Sequence, residues 1–146
     1  MRGEKIYEYD LDVTGVTDYG ISLDAVLSGQ VQIPAQGVRV DVAFAGPAVG
    51  RLTGTVRGVD YLRMRADGRV DLDIRATIET AAGHRIALSA DGVAMPRANE
   101  PVADLLENVT LSTAAAEFAW VNTRQVWAMG TVDLAAGKIH ITGYMQ

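Results

Sequence analysis

The sequence predicts an all-β protein, an antiparallel up-and-down β-barrel of about 8–10 strands with one short helix. Short stretches along the whole chain alternate apolar and polar residues, as half-buried strands do. The 15 glycines are spread from one end to the other and fit tight turns between such strands. No stretch keeps a helical period. We expect one domain, residues 1–146, closed into a barrel because closure removes exposed strand edges.

Three consecutive strands are predicted within residues 59–89. Asp67-Gly68 suits a two-residue hairpin turn, which would place Asp60 opposite Arg75. Ala81-Ala82-Gly83 suits a second turn. Alternation then gives the three strands one apolar face and one charged face. The charged face would carry Asp60, Asp71, Asp73, Arg75, Thr77, Glu79, Arg85 and Ser89.

The same patterns predict the remaining elements. Strands are expected over residues 5–13, 21–27, 38–44, 51–57, 109–113, 117–122, 126–134 and 139–145. Pro101 suits the first position of a helix, so residues 101–107 are predicted to form the short helix. Ala136-Gly137 is expected to turn the last hairpin and to place Asp133 opposite His140.

Composition excludes several classes of function. The formal net charge is −5 and no cluster of lysine or arginine occurs, so we expect no nucleic-acid partner. Cysteine is absent, which excludes disulfides, thiolate metal sites and a cysteine nucleophile. The first residues contain no apolar targeting core, and no run approaches the ~18 apolar residues of a membrane span. We therefore expect a cytoplasmic protein without a membrane partner.

Two segments resemble a known family. The run ADGRVDLDIRATIETAAGHRIAL and the later segment FAWVNTRQVWAMG are similar to motifs of the DUF3237 family, also called UPF0311. The resemblance implies a calycin-like antiparallel barrel, often dimeric, without a settled family-wide activity. It places Asp73 and Arg75 at a D-x-R motif, and Trp120 and Asn122 at a W-x-N motif. The chain departs from the family pattern at Ala82-Gly83 and at Trp127.

The charged face of the three strands predicted within residues 59–89, which form an antiparallel meander, supplies the candidate catalytic residues Asp60, Asp73 and Arg75. If this face lines a lumen, Arg75 could hold developing negative charge and a crowded carboxylate could move a proton. The alternative is a solvated outer face with alternating charges, as most half-buried strands have.

Aromatic and polar side chains supply the candidate ligand-binding residues. Aromatic rings with a few polar groups suit a small-molecule pocket, although a barrel core uses the same residues. The candidates are Glu79, Trp120, Asn122, Trp127 and Tyr144. His140 with Asp133 is interpreted as a surface ion pair. We expect no metal and no cofactor, since there are only two histidines and no phosphate-binding loop or dinucleotide fingerprint.

Three functions are compatible with these residues. The first is acid/base catalysis without a cofactor on a carbonyl or carboxylate compound, of lyase, isomerase or cyclase type. The second is a non-catalytic carrier or sensor for a small ligand, and the third is an interaction module with a solid core. Apolar alternation on nearly every strand, together with the resemblance, also predicts a homodimer through one outer wall of the barrel.

Overall fold

The computed structural model describes residues 1–146 as one closed barrel of eight antiparallel strands. Each strand pairs with its neighbours in the sequence, and β1 pairs with β8 to close the barrel. The strands are β1 Glu4–Asp18, β2 Val38–Val49, β3 Gly54–Met64, β4 Val70–Glu79, β5 Arg85–Pro96, β6 Val102–Ser112, β7 Val126–Asp133 and β8 Lys138–Met145. The predicted fold class is confirmed.

Two short helices lie at opposite ends of the barrel. Helix α1, Leu23–Leu27, belongs to the connection between β1 and β2, and the 3₁₀ helix Ala116–Val121 connects β6 to β7. Because the strands run alternately up and down, α1 shares its end with the β3–β4, β5–β6 and β7–β8 turns. We call this end the mouth. At the other end, the 3₁₀ helix inserts Val121 into the main core.

The inward side chains fill most of the barrel. Alternate residues of every strand point inward, and 25 buried residues form one continuous hydrophobic cluster. A second, smaller cluster lies at the mouth, where Val38, Val40 and Met64 are covered by side chains from the β1–β2 connection. The connection therefore packs on the rim of the barrel and not on the main core. No helix is long and apolar enough to cross a membrane.

The predicted register between β3 and β4 is wrong by one residue. The loop has three residues, 66–68, because Arg65 N donates to Arg69 O and Gly68 N donates to Arg65 O. Gly68 has φ +89°, which is the left-handed conformation that closes such a loop. The extra residue pairs Asp60 with Ile74 instead of Arg75. The next turn is as predicted, since Glu79 pairs with Arg85.

This shift reverses the two faces of β3. Asp60, Leu62 and Met64 point into the barrel, whereas Val59 and Tyr61 point outward. The faces of β4 are as predicted, with Leu72 and Ile74 inside and Asp73 outside. Asp60 is thereby separated from the rest of the predicted charged face. Asp60 therefore belongs to the interior of the barrel.

Three element predictions are wrong. The predicted helix over residues 101–107 is absent, and Val102 begins β6, because the inward positions of this segment continue the two-residue period of the strand. Residues 21–27 contain α1, whose first turn is capped by Ser22 Oγ accepting from Ala25 N at 3.1 Å. The predicted strand over residues 117–122 is instead a 3₁₀ helix that ends at Val121, with Asn122 as its C-cap. In each case an apolar pattern over few residues fits both a strand and a helix.

In the last hairpin, β7 and β8 pair in a different register from the predicted one, but the same residues point inward and outward. Val132 pairs with Ile139 and Asp133 with Lys138, a shift of two residues. His140 is therefore not paired with Asp133. It lies against β1, where its Nδ1 is 2.7 Å from an oxygen of Asp10. The predicted pairing of His140 with Asp133 is therefore wrong, and the surface carboxylate beside His140 is that of Asp10.

Candidate functional site

The mouth end of the barrel contains a cavity of about 160 Å³. Of its 24 lining residues, 20 are hydrophobic. Leu23 and Leu27 of the β1–β2 connection and Leu134 of the β7–β8 turn line its outer part at the mouth. An engineered cavity of about 150 Å³ holds benzene, so this space suits a ligand of about that size or one with a further part protruding from the mouth.

Asp60 brings one carboxylate into this cavity from β3. It is half-buried, and its Oδ1 accepts a hydrogen bond from Asp73 N at 3.0 Å. The regular pairing of β3 with β4 is interrupted between Asp60 and Arg63, where the carboxylate accepts from the strand. The backbone of β4 thus fixes the position of this side chain and leaves its second oxygen for other contacts.

Glu107 brings a second carboxyl group into the cavity from β6. It is only 6% exposed and is the one charged residue among the buried residues of the protein. Its Oε1 has no hydrogen-bond partner. Buried polar atoms are usually paired, so an unpaired carboxyl oxygen facing a cavity indicates a place where a ligand could bind.

Two tyrosines of β1 complete the polar part of the interior. Tyr7 and Tyr9 stack with their ring centroids 5.1 Å apart, and Tyr9 lines the cavity. The ring of Tyr7 occupies the space above Gly143, where any Cβ would overlap it. The hydroxyl of Tyr7 is buried without a hydrogen-bond partner. The two phenols and two carboxyl groups form a polar cluster inside an apolar barrel.

Burial sets the charge of both carboxyl groups. It raises the pKa of Glu107 to about 8, and the negative charge of Asp60 adds to this rise. It also raises the pKa of Asp60 to about 6, although the hydrogen bond from Asp73 N opposes the change. The two pKa values bracket neutral pH. At pH 7 Asp60 is therefore mainly ionised, and Glu107 is mainly a neutral acid that can donate a hydrogen bond.

Burial also keeps the phenols neutral. It raises the pKa of both Tyr7 and Tyr9 well above the ordinary value, and the charge of Glu107 acts in the same direction. Each hydroxyl therefore stays protonated and can donate a hydrogen bond. The structure contains no group of three or more histidine, aspartate or glutamate side chains that could hold a metal ion.

The other two predicted catalytic residues lie outside the barrel. Arg75 and Asp73 face solvent, with side chains 65% and 56% exposed, and form an ion pair with each other at 3.5 Å. Glu79 is on the same outer face and pairs with Arg85 at 3.2 Å. The expectation that this charged face lines the lumen is wrong, because only Asp60 reaches the cavity. The meander presents its apolar face to the inside, as the alternative interpretation had it.

The predicted ligand-binding aromatics are also away from the cavity. Trp120 lies at the closed end, where the guanidinium of Arg51 sits 3.8 Å from its ring centroid. Asn122 bridges the backbone of Thr113, accepting from its N and donating to its O. Trp127 and its cross-strand partner Tyr144 face outward. None of these four predicted side chains meets Asp60.

Glu107 is the site residue that sequence reasoning missed. The signal was present, since residues 103, 105, 109 and 111 are apolar and Glu107 occupies the same phase of the alternation. A glutamate at an inward position of a strand is a strong indication of function, because an unpaired buried carboxylate is costly. The helix predicted over residues 101–107 concealed this pattern.

Comparisons with known proteins give a family and a fold. The model of a family described as "Protein of unknown function (DUF3237)" matches residues 22–145. No curated protein matches the chain significantly.

Several solved structures have the same barrel. A protein of unknown function from Clostridium acetobutylicum is 17% identical, with a TM-score of 0.78 over 100% of this chain and 99% of that chain. A β-barrel-like protein from Acinetobacter baumannii is 18% identical, with a TM-score of 0.74 over 99% and 94% of the two chains. An enzyme from Penicillium herquei is 18% identical, with a TM-score of 0.65 over 99% of this chain and 94% of that chain. At these identities the likeness shows the fold alone.

Proposed function

The chain belongs to the DUF3237 family, whose function is unknown, and we propose that its barrel binds a small apolar molecule and acts on it by acid/base catalysis. The reaction is of isomerase, lyase or cyclase type. One observation carries this proposal. An apolar cavity holds two carboxyl groups, Asp60 and Glu107, whose pKa values lie on opposite sides of neutrality. Such a separation assigns one group as base and the other as acid.

Asp60 is the general base of this mechanism. Its carboxylate removes a proton from the carbon next to a carbonyl group, and the electrons of that C–H bond form a C=C bond. The carbonyl oxygen gains negative charge, which the neutral acid of Glu107 stabilises by donating a hydrogen bond or its proton. Tyr9 lines the same cavity and offers a further donor. A similar division between an ionised and a neutral carboxyl group operates in known ketone isomerases.

The apolar wall strengthens this chemistry. Water is displaced from the 20 hydrophobic lining residues when a ligand enters, so the remaining hydrogen bonds act in a low-dielectric space. The proton held by Asp60 can then return to a different carbon, which gives an isomerase. A lyase results when a leaving group on the β-carbon departs from the enolate with the proton held by Asp60, as a C=C bond forms. A cyclase results when Asp60 instead takes the proton of a hydroxyl group whose oxygen adds to the β-carbon of an α,β-unsaturated carbonyl in the same molecule, and the enolate so formed receives that proton at its α-carbon.

A non-catalytic carrier is the second candidate function. The predominantly hydrophobic lining and the position of the cavity at the mouth also suit simple ligand storage. The third interpretation, an interaction module with a solid core, is disfavoured by the cavity itself. Proton transfer distinguishes the first two functions.

Exchange of carbon-bound hydrogen in 2-indanone tests the proposal. This ketone is small and has acidic hydrogens next to its carbonyl group. In D₂O, NMR should show faster deuterium uptake with the protein than with buffer alone. Asp60→Asn should abolish the acceleration, because it removes the general base. Glu107→Gln should reduce the acceleration by at least about a hundredfold, as for loss of a general acid. The matched control Asp73→Asn, on the outer face, should retain it. Equal rates in all four proteins would contradict catalysis by this pair.

We also propose that the chain forms a homodimer through one outer wall. Val93, Leu106, Met129 and Thr142 form one register row across β5 to β8, all on the outside of the barrel and all uncharged. Leu106 and Met129 are exposed, and exposed Trp127 lies beside them. An uncharged row of side chains brings no like charges together when it meets its own copy, which suits a two-fold contact centred on this row.

A further inference from the structure

The cavity is lined by acidic groups but by no basic residue, although the chain has 13 lysine and arginine residues. Its ionisable groups are Tyr9 from β1, Asp60 from β3 and Glu107 from β6. The other strands and the β1–β2 connection contribute only apolar residues and one glycine, and no lysine, arginine or histidine lines the space. Arg75 and Arg85 instead pair with carboxylates on the outer wall.

A carboxylate or phosphate ligand has no cationic partner in this cavity. It would lose its hydration among hydrophobic side chains and meet the negative charge of Asp60. Proteins that bind such anions supply arginine, lysine or several backbone N–H groups. The expectation of a carboxylate substrate depended on Arg75 lying in the lumen, and Arg75 lies on the outer face.

A protonated amine fits less well than a neutral carbonyl compound. Ammonium groups have only donors, so they cannot accept a hydrogen bond from the neutral acid of Glu107. One oxygen of Asp60 is already occupied by Asp73 N at 3.0 Å. A carbonyl oxygen accepts from Glu107 without bringing a charge into the apolar space. The unpaired, buried carboxyl of Glu107 is thus matched by a neutral acceptor.

We infer that the ligand of the barrel is an uncharged, hydrophobic carbonyl compound with about one or two rings inside the cavity, and that the site rejects carboxylates. The size follows from the cavity of about 160 Å³, since benzene fills one of about 150 Å³. This inference names the substrate class of the proposed function and rests on the same site. It concerns binding, however, and can hold or fail separately from catalysis.

Three probes with one carbon skeleton test the inference. They are 2-indanone, indane-2-carboxylate and 2-aminoindane, which are neutral, anionic and cationic at pH 7. Binding is measured by NMR titration of the wild-type protein, with the methyl signals of Leu62 and Leu105 reporting the lumen, because both residues line it. We expect 2-indanone to bind most tightly. The carboxylate should bind at least about thirtyfold more weakly, since a like charge must be buried beside Asp60.

A variant and a pH series identify the cause of the discrimination. Asp60→Asn keeps the acceptor for Asp73 N but removes the charge, so it should strengthen binding of the carboxylate about tenfold. The affinity for 2-indanone should change less than about threefold. If the variant does not fold, the wild-type protein gives the same information. Its affinity for the carboxylate should rise as the pH falls from 7 to 5, because Asp60 becomes protonated in this range while Glu107 is already mainly a neutral acid.

The outcomes separate the inference from the proposed function. Lumen binding of 2-indanone with rejection of the carboxylate, but without deuterium exchange, supports the inference and refutes catalysis. A carboxylate or amine that binds the lumen as tightly as 2-indanone overturns the inference. It is also overturned if 2-indanone does not perturb the lumen methyl signals up to its solubility limit.

Discussion

Glu107 occupies an inward position of β6, between the apolar inward residues Leu105 and Val109. A hydrophobic residue at this position would add to the core, whereas the carboxyl group loses its hydration and gains no partner. The protein reduces this cost by keeping Glu107 protonated, since burial raises its pKa to about 8. The same residue therefore lowers stability and supplies an acid.

Stability should fall with rising pH because of Glu107. The folded pKa of about 8 is above the ordinary value of 4.5, so the folded protein holds an extra proton between these limits. The stabilisation that comes from the proton on Glu107 is fully present below pH 4.5 and is lost as the pH rises through 8. Each pH unit in this window costs up to about 1.4 kcal/mol of unfolding free energy.

Urea unfolding at pH 6 and pH 8 measures this loss. Asp60 contributes little there, because its pKa of about 6 lies at the lower limit. The wild-type protein should lose about 2 kcal/mol over the interval, and Glu107→Gln should remove most of that loss. Glu79→Gln, on the outer wall beside Arg85, is the matched control and should behave like the wild type. Parallel pH dependence in wild type and Glu107→Gln would show that Glu107 is not a buried acid.

At the scale of elements, the β3–β4 loop determines which carboxylate enters the barrel. With two residues in the loop, Asp60 would share a face with Arg75, and with three it pairs with Ile74 and points inward. Gly68 makes the longer loop possible through its φ of +89°. A single glycine in a turn thus places a candidate catalytic group.

Gly68→Ala should destabilise the protein by about 1 kcal/mol, the cost of a left-handed alanine. A Cβ at this position meets nothing within 4 Å, so the cost comes from the backbone alone. Gly68→Asn should cost less, because asparagine tolerates this conformation. Urea denaturation of both variants checks the prediction. An alanine variant as stable as the wild type would mean that the loop is not held in this conformation.

Alternation was sufficient to predict the architecture but not the position of every element. The sequence predicted an antiparallel barrel, the β4 faces and the β4–β5 turn, because strong alternation and Gly83 agree there. Asp60 was identified as a candidate, but its face was wrong because Asp67-Gly68 suits both loop lengths. Glu107 was missed because the apolar pattern of residues 101–107 also fits a helix. Backbone pairing between neighbouring strands, which sequence patterns do not contain, resolves both ambiguities.

At the scale of the molecule, closure separates two surfaces with different chemistry. The outer wall carries charged pairs such as Arg75 with Asp73, while the interior excludes lysine, arginine and histidine from the cavity. The β1–β2 connection lies across the mouth, with Leu23 and Leu27 lining the cavity. Ligand entry is therefore expected beside α1, and the closed end around Trp120 serves stability.

The proposed homodimer predicts a concentration-dependent mass in solution. Met129 is exposed at the centre of the uncharged row on β5 to β8, between Leu106 and Thr142. Met129→Glu should convert a dimer to a monomer without loss of fold, because two like charges would meet across the two-fold axis. Sedimentation equilibrium with circular dichroism measures both properties. A wild-type protein that sediments only as a 15.6 kDa monomer at micromolar concentration would refute the dimer.

The pH dependence of deuterium exchange into 2-indanone shows whether Asp60 is the base and Glu107 the acid. Asp60 must be ionised and Glu107 protonated, so the protein-catalysed rate should be bell-shaped, with limbs near pH 6 and pH 8 and a maximum near pH 7. Asp60→Asn should leave no catalysed rate at any pH, whereas the residual rate of Glu107→Gln should lack the fall above pH 8. A catalysed rate that rises steadily with pH, or a bell that survives in Glu107→Gln, would contradict the assignment of this carboxyl pair as base and acid.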